Sequence, residues 1–407
     1  MVRSKKRKIL VVTPTYPHSE KIRGVPGFIR EICTLLAEQD YLVDVLAPYY
    51  EGAKPIARYN NITVYRFRYA IPGMHAKTAH DNTHSTVAAN DIPPIWRPFY
   101  SHFLQRKLIK LIKLYDYEAI HAHWLVPQGW AAAKACIALG GGIPLICSAY
   151  GLDLRPAEGF ERTARQLVLK YAKHVTVTSR ANQERLKRTH PEINRKISVL
   201  PVGVDLATLF CRMPYVKRQK HALLFVGRLS PESGLHTLIK AMPLIQAHVP
   251  EIRLFVVGDG PDRKSLEEFA KEYGCHHQVQ FIGSLAPPAV ALFYNKARMV
   301  VIPTQPINAD GFLEDEERMA QVCIEAMGCK CPVIISGLDW IREIVVDEQT
   351  GKVMRSSSPE DLSDKVLWVL SHPLETKQMV TKAHERVQLN FDIARCGDLL
   401  RTFLNNG

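Results

Sequence analysis

The chain has 407 residues, 46% apolar and 23% charged, proportions that exclude a fibrous, low-complexity or intrinsically disordered protein. Its length is too great for one comfortable core and implies two domains of about 200 residues each. The net charge of +13 is lopsided: residues 1–205 hold 30 Lys+Arg against 16 Asp+Glu, and residues 206–407 hold 23 against 24.

In chain order, the basic start "MVRSKKRKILVVTPTYP" runs through only four apolar residues before Thr13 and Pro14, too few for a secretory leader. Short apolar runs then alternate with longer amphipathic stretches, the pattern of parallel α/β units. Strands are expected at 8–14, 42–48, 62–68, 119–123, 144–150, 174–179 and 197–201. Between the first two, Phe28, Ile29, Ile32, Leu35 and Leu36 fall at helical spacing. Residues 70–98 escape the pattern: a long polar loop with Pro, Gly and the histidines 75, 80 and 84, at spacings that no neighbouring carboxylate turns into a metal site. Residues 99–115 read as an amphipathic helix with Arg106, Lys107, Lys110 and Lys113 on one arc, either a solvated basic face or one that docks on anionic lipid.

The second half repeats the grammar, with strands at 221–228, 252–258, 279–283, 299–304 and 332–336. Several strands are apolar on successive residues, as suits strands covered on both faces. The expected architecture is therefore two doubly wound α/β domains, residues 1–205 and 221–385. A polar, basic linker (206–220) joins them, and a C-terminal helical segment (386–407) follows. Nine cysteines without a C-x-x-C pair fit free thiols, and the "CKC" of Cys329 and Cys331 is too short for a zinc site. No run approaches about 18 uninterrupted apolar residues, so no membrane-spanning helix is expected.

Candidate site residues stand where such domains put them, at the carboxyl ends of strands. The first strand leads into "RGVPGF", where Gly24 and Gly27 open a helix and allow backbone N–H groups to approach a phosphate. A tight turn uses the same residues, and neither a Walker loop nor a dinucleotide fingerprint is present. His121 and His123 end the fourth strand, and Tyr150 and Asp153 follow the fifth. In the second half Arg228, Gly258 and Gly283 end successive strands. The segment "ERMAQVCIEAMGCKCPVI" then sets Glu317 and Glu325 eight residues apart, with Glu317 expected in the loop and Glu325 inside the helix. Two carboxylates flanking an anion-binding helix end suit a ligand with hydroxyls on both sides of a phosphate bridge, as in a nucleoside-diphosphate sugar. An acidic, solvated helix start accounts for the same pair.

The ordered set "RGVPGF", "IHAHWLVPQGW", "YGLD", "LPVGVD", "LLFVGRLSPESG", "VVGDGP", "VQFIGSL", E-x7-E and "EIVVDEQTG" resembles the retaining glycosyltransferases of family 4, from about residue 8 to about 355. The resemblance implies a GT-B fold, two Rossmann-like domains with C-terminal helices returning to the first. It implies a hexosyltransferase acting with retention, with a UDP- or GDP-type sugar held by the second domain. The acceptor, a polysaccharide, glycolipid or lipid-linked glycan, would be held by the first. By similarity Glu325 would bind ribose hydroxyls and Glu317 the donor sugar. Arg228 would neutralise the diphosphate, Gly27 would approach it, and the Gly258 and Gly283 turns would line the base pocket. Tyr150 and Asp153 would stand at the reaction centre, with His121 and His123 on the acceptor side. No metal or other cofactor is implied.

Four positions depart from the family's pattern: Ser233 where lysine is usual, Tyr150 for a histidine, Arg318 for a glycine, and Asp339-Trp340 for a Gly-Gly turn. Arg318 then stands as a replacement cation on the diphosphate, or as a partner of its acidic neighbours. The departures leave room for a non-catalytic GT-B protein that binds nucleotide sugar or glycan; a sugar-nucleotide epimerase is the other alternative. The free thiols fit a reducing cytoplasm, and the charge of the first half points to a peripheral visit to the inner face of the cell membrane. Without an aromatic-interleaved basic motif, nucleic acid is not the expected partner.

Overall fold

The computed structural model describes residues 6–16, 27–39, 41–50, 52–70, 97–305 and 316–405. Residues 71–96 of the expected long loop, with all three of its histidines, and the Gly24–Pro26 turn lie outside the described residues. The chain divides into two compact units, one built from the residues up to Pro201 together with those from Ala394 on, the other from Val202–Ile393.

The first unit runs β1 (Arg7–Val12), α1 (Gly27–Glu38), β2 (Tyr41–Pro48), β3 (Ile56–Tyr59), β4 (Ile62–Phe67), α2 (Arg97–Leu114), β5 (Ala119–His123), α3 (Trp130–Ala138), β6 (Leu145–Ala149), α4 (Gly159–Tyr171), β7 (His174–Val177), α5 (Arg180–Thr189) and β8 (Ile197–Val199). Its sheet has the order β3-β4-β2-β1-β5-β6-β7-β8. All pairs are parallel except β3 with β4. The strand order turns outward on both sides of β1, so the first strand stands at the switch point where ligands bind such sheets. The strands β5 and β6 are buried at every residue, because helices cover both faces.

The second unit runs β9 (Ala222–Val226), α6 (Leu235–Gln246), β10 (Arg253–Val257), α7 (Arg263–Glu272), β11 (Val279–Gly283), α8 (Pro287–Lys296), β12 (Met299–Ile302), α9 (Glu316–Gly328), β13 (Val333–Ser336), β14 (Lys352–Met354), α10 (Pro359–Ser371) and α11 (Pro373–Phe391). Its sheet, β11-β10-β9-β12-β13-β14, is parallel throughout. The last helix, α12 (Ile393–Asn405), packs on the first unit, where Phe403 stacks on His174 with ring centroids 4.3 Å apart and Asn405 accepts from Tyr41 at 3.2 Å.

Two boundaries differ from expectation. Residues 206–220 are not a linker but part of the second unit. The Arg218 guanidinium donates to the carbonyls of Tyr294, Ala297, Cys329 and Lys330, at the carboxyl ends of α8 and α9. There a cation answers the last unpaired carbonyls of a helix and its dipole. The return of the chain comes at residue 393, not 386, since α11 continues unbroken to Phe391. At that point Val204 and Asp392 form a parallel bridge, fixed by Val204 N donating to Phe391 O and Ile393 N donating to Val204 O, both at 3.0 Å.

Candidate functional site

In the first unit, β5 and β6 end side by side, with His123 in register with Ser148. Two residues apart on one strand, His121 and His123 point to the same face, and their rings lie 4.3 Å apart. His121 Nε2 is 2.8 Å from Ser148 Oγ, which is 2.7 Å from Thr176 Oγ1. His123 Nδ1 is 2.7 Å from the Tyr150 hydroxyl. The remaining ring nitrogens, His121 Nδ1 and His123 Nε2, are buried with no hydrogen-bond partner. Burial lowers His121 to about 4 and holds His123 well below its ordinary value, the latter also because His121 is its neighbour. Both imidazoles are therefore neutral at pH 7, which is what allows two of them to sit in contact. Phe28, at the start of α1, closes on the Tyr150 ring at 5.9 Å, and Trp124 does so at 4.5 Å.

Asp153 is buried in the 3-10 turn Gly151–Leu154. Its carboxylate accepts from the backbone N–H of Leu125 and of Tyr150, each at 3.1 Å, and so ties the loop after β6 to the loop after β5. Burial raises its pKa to about 6, opposed by those backbone bonds and by Arg165.

These shifts set a pH response. The unfolded chain takes up protons on both histidines below about pH 6.5, whereas the fold holds them neutral, so that part of the stability is full above pH 6.5 and lost as pH falls toward 4. Asp153 acts in the opposite sense, because its raised pKa favours the fold as pH falls below about 6. Two imidazoles outweigh one carboxyl, so the urea midpoint of the first unit is expected to drop between pH 7 and pH 5. A midpoint that rises over that range would show that the imidazoles are not held neutral.

In the second unit the loops after β9, β10 and β11 are laced through their backbones. Gly227 N donates to Val257 O at 3.0 Å, Leu229 N to Asp259 O at 3.0 Å and Gly258 N to Gly283 O at 2.9 Å. Arg228 stands between the two laced residues Gly227 and Leu229, at the carboxyl end of β9. The same loop runs through the turn Pro231–Ser233 to the N-terminus of α6. Ser233 is 4% exposed, and its hydroxyl accepts from Leu235 N at 3.4 Å, facing its own helix. Gly234, at φ +67°, abuts the end of β12 so closely that a Cβ would lie 1.7 Å from Pro303 O. Gln305 N donates to Glu232 O at 3.0 Å, and the Thr304 hydroxyl donates to Met319 Sδ at 3.1 Å. The loops after β9 and β12 and the start of α9 thus form one edge.

On α9 the structure corrects the expected helix start. Glu317 lies not in the loop but in the first turn, beside Glu316, so both carboxylates of the spaced pair ride on one helix. They are separated by about 12 Å of rise and roughly 80° of rotation. Without glycine at position 318 nothing breaks the helix there, and acidic residues favour a first turn through the helix dipole. Glu325 is 7% exposed, and its Oε2 accepts from the Tyr294 hydroxyl at 2.9 Å. Burial, then the Glu325 charge, raises the Tyr294 pKa far above its ordinary value, so the phenol remains a donor. Tyr294 was not singled out from the sequence; an isolated hydroxyl in the apolar run "AVALFYNKA" was its only signal. Trp340, in the 3-10 turn Asp339–Glu343, is buried with its indole N–H unpaired. Among the described residues no three His, Cys, Asp or Glu side chains gather as a metal site, and no helix is long and apolar enough to cross a membrane.

A family model described as "Glycosyltransferase Family 4" matches residues 22–208, and one described as "Glycosyl transferases group 1" matches residues 215–386. Glycogen synthase of Mycobacterium tuberculosis is 24% identical over 405 residues, covering 95% of this chain and 91% of that protein. The GDP-mannose-dependent alpha-(1-6)-phosphatidylinositol monomannoside mannosyltransferase of Mycolicibacterium smegmatis is 26% identical over 266 residues, covering 61% of this chain and 69% of that protein. Among solved structures, Anabaena HepE in complex with UDP-glucose superposes with a TM-score of 0.71 at 18% identity, over 98% of this chain and 100% of that one. At that identity the likeness shows the fold, GT-B, and nothing finer.

Proposed function

The chain belongs to the glycosyltransferases of family 4, and we propose that it moves a sugar, with retention of anomeric configuration, from a nucleoside-diphosphate sugar to a lipid-linked or surface glycan acceptor. The observation that carries this reading is the buried Glu325 carboxylate, oriented by Tyr294 on the helix that follows β12. A carboxylate held in that way is a rigid double acceptor for a pair of vicinal hydroxyls such as those of ribose. Glu317, nearer the helix start, is assigned to the donor sugar. The diphosphate is assigned to Arg228 and the N-terminus of α6 at Ser233, a helix with no acidic residue in its first turn. At the start of α9, where Glu316 and Glu317 already occupy the positive end of the helix, the Arg318 side chain rather than the helix backbone is assigned to the diphosphate as a second cation. Gly258 and Gly283 keep the loops around the base in close backbone contact.

The first unit is assigned the acceptor, with His121, His123 and Tyr150 lining its end of β5 and β6. Asp153 is there a positioning residue that holds the two loops together, and Gly27 sets the start of α1 at the switch point. In the proposed step the acceptor oxygen bonds to the anomeric carbon as the carbon–oxygen bond to the diphosphate breaks on the same face. The leaving phosphate takes the acceptor proton, so neither a protein nucleophile nor a metal is needed, and the site supplies positioning and cationic stabilisation. Of the two relatives described above, one is named for a polysaccharide and the other for a phosphatidylinositol mannoside. The second of these, together with the basic first half, supports an acceptor at the inner membrane face of the cytoplasm.

Calorimetric titration with UDP, GDP and their common sugar conjugates, followed by assay of donor hydrolysis in the same samples, tests the reading. Saturable binding of one nucleotide with hydrolysis above blank is expected. Binding without hydrolysis or transfer would favour a binding protein, and no binding by the folded chain would sink the donor site. Arg318→Ala is expected to lower turnover about tenfold, the worth of one charge-assisted hydrogen bond at a half-buried position. Unchanged turnover would mean that Arg318 serves only its acidic neighbours.

A further inference from the structure

We propose that the outer face of α2, α3 and α4 in the first unit docks on an anionic lipid bilayer, with aromatic side chains entering the interface and cations meeting lipid phosphates. The inference rests on the reading above that the acceptor is membrane-borne, and it assigns the surface that brings the enzyme there.

The helix α2 has no Asp or Glu in its sequence RPFYSHFLQRKLIKLIKL, and its basic residues include Arg106, Lys110 and Lys113. Tyr100, Leu104, Leu108 and Leu111 form its buried stripe. The solvent side instead begins with Phe103, 39% exposed, continues through Arg106, Lys110 and Lys113 at spacings of three and four, and ends at Leu114, 62% exposed. An open groove on that side is lined by the same three cations with Ile109 and Leu114. Cations around an apolar floor suit a lipid phosphate above the top of its acyl chain, with the long basic stems lying along the apolar surface.

The neighbouring helices extend the face. On α3, Trp130, Lys134 and Ile137 recur at spacings of four and three, and Ile137 is half exposed. On α4, Phe160 is 64% exposed and meets Trp130 edge to face at 5.2 Å, while the Lys134 ammonium lies 5.3 Å from the Trp130 ring. Gln128, just before α3, donates to the Tyr100 hydroxyl at 3.1 Å and so sets the first turn of α2 beside the start of α3. All three helices connect parallel strands, so their N-termini lie at the carboxyl edge of the sheet, the edge that carries His123 and Tyr150. Phe103, Trp130 and Phe160 gather toward that edge, and the cations occupy the turns beyond it. Large exposed aromatics clustered beside cations are unfavourable against water but natural at a headgroup boundary. Against Arg106, Lys110, Lys113 and Lys134 stand Glu158 and Glu161 at the start of α4, the latter engaged by Arg165, so the balance of the face is positive.

The test is flotation of the full chain with vesicles of phosphatidylcholine alone and with one third phosphatidylglycerol. Binding to the anionic vesicles only is expected. The double variant Lys110→Gln, Lys113→Gln should weaken it about twenty-five-fold, taking each lost cation as about fivefold. The double variant Phe103→Ser, Phe160→Ser should weaken it roughly tenfold while keeping its salt dependence. Both variants should keep the far-ultraviolet dichroism and the nucleotide affinity of the parent, since neither touches the donor residues. Failure of the parent to float, equal flotation of parent and both variants, or equally tight binding to an anionic oligonucleotide would overturn the proposal. Flotation as expected in a chain that binds no nucleotide would leave the surface standing and sink the transferase reading instead.

Discussion

Replacing Glu325 by glutamine is expected to weaken nucleotide-sugar binding about hundredfold and to remove most transfer activity, with little change in stability. The side chain is buried and keeps its shape on substitution, and the amide oxygen still accepts from the Tyr294 hydroxyl, which now reaches Oε2 at 2.9 Å. The negative charge and one acceptor are lost. Hydrogen bonds to a charged group contribute about 1.5–3 kcal/mol each, so the loss of one such bond to ribose, with weakening of its neighbour, accounts for a hundredfold change. Titration calorimetry with the preferred nucleotide measures the affinity, and urea unfolding of the same variant measures the stability. Tyr294→Phe separates orientation from charge: it keeps the carboxylate but frees it to turn, and a smaller loss, about tenfold, is expected. An affinity for nucleotide that Glu325→Gln leaves unchanged would remove the carboxylate from the donor site.

The sequence announced the parallel strands because they are apolar on both faces, and it announced the site residues because each stands at a strand's carboxyl end. It was silent on β3 and β14, which have four and three residues at sheet edges. Strands so short bury little, and their apolar content does not rise above that of a loop. It misplaced the segment around Arg218 because a basic, polar stretch looks alike whether it faces water or donates to helix-end carbonyls. The partners of Arg218 come from residues about 76 to 112 positions away, where local pattern has no reach.

The histidines show the same division. That His121 and His123 share a face follows from the period of a strand. That both are neutral, and that Tyr150 rather than a carboxylate meets His123, depends on burial and on the register of β5 against β6. The E-x7-E spacing was legible, but the position of the helix start was not, since Asn308, Asp310 and Asp315 are each of a type that caps helices and the local pattern does not choose among them. What the structure adds there is Tyr294, a residue 31 positions from the carboxylate it orients.

Gly258→Ala is expected to cost the second unit about 3–5 kcal/mol and to weaken nucleotide binding at the same time. The backbone there has φ +136°, and a Cβ would lie 1.8 Å from Gly227 O, a clash with backbone that no side-chain rotation relieves. Strain at a position of this kind is worth about 1–3 kcal/mol, and forced displacement of packed neighbours about as much again. The displacement falls on Gly227, which is bonded to Val257 O and precedes Arg228 directly, so the loop that aims the guanidinium must move with it. Gly274→Ala is the control: its φ is also positive, at +67°, but nothing lies within 4 Å of the added Cβ, and only the conformational cost, about 1 kcal/mol, is expected. In urea the Gly258 variant should unfold its second unit well before the Gly274 variant does, with the first unit's transition in place. If the two variants unfold together and bind nucleotide alike, the close backbone contact between the loops after β9 and β10 does not hold Arg228, and the cation's position must be set from elsewhere.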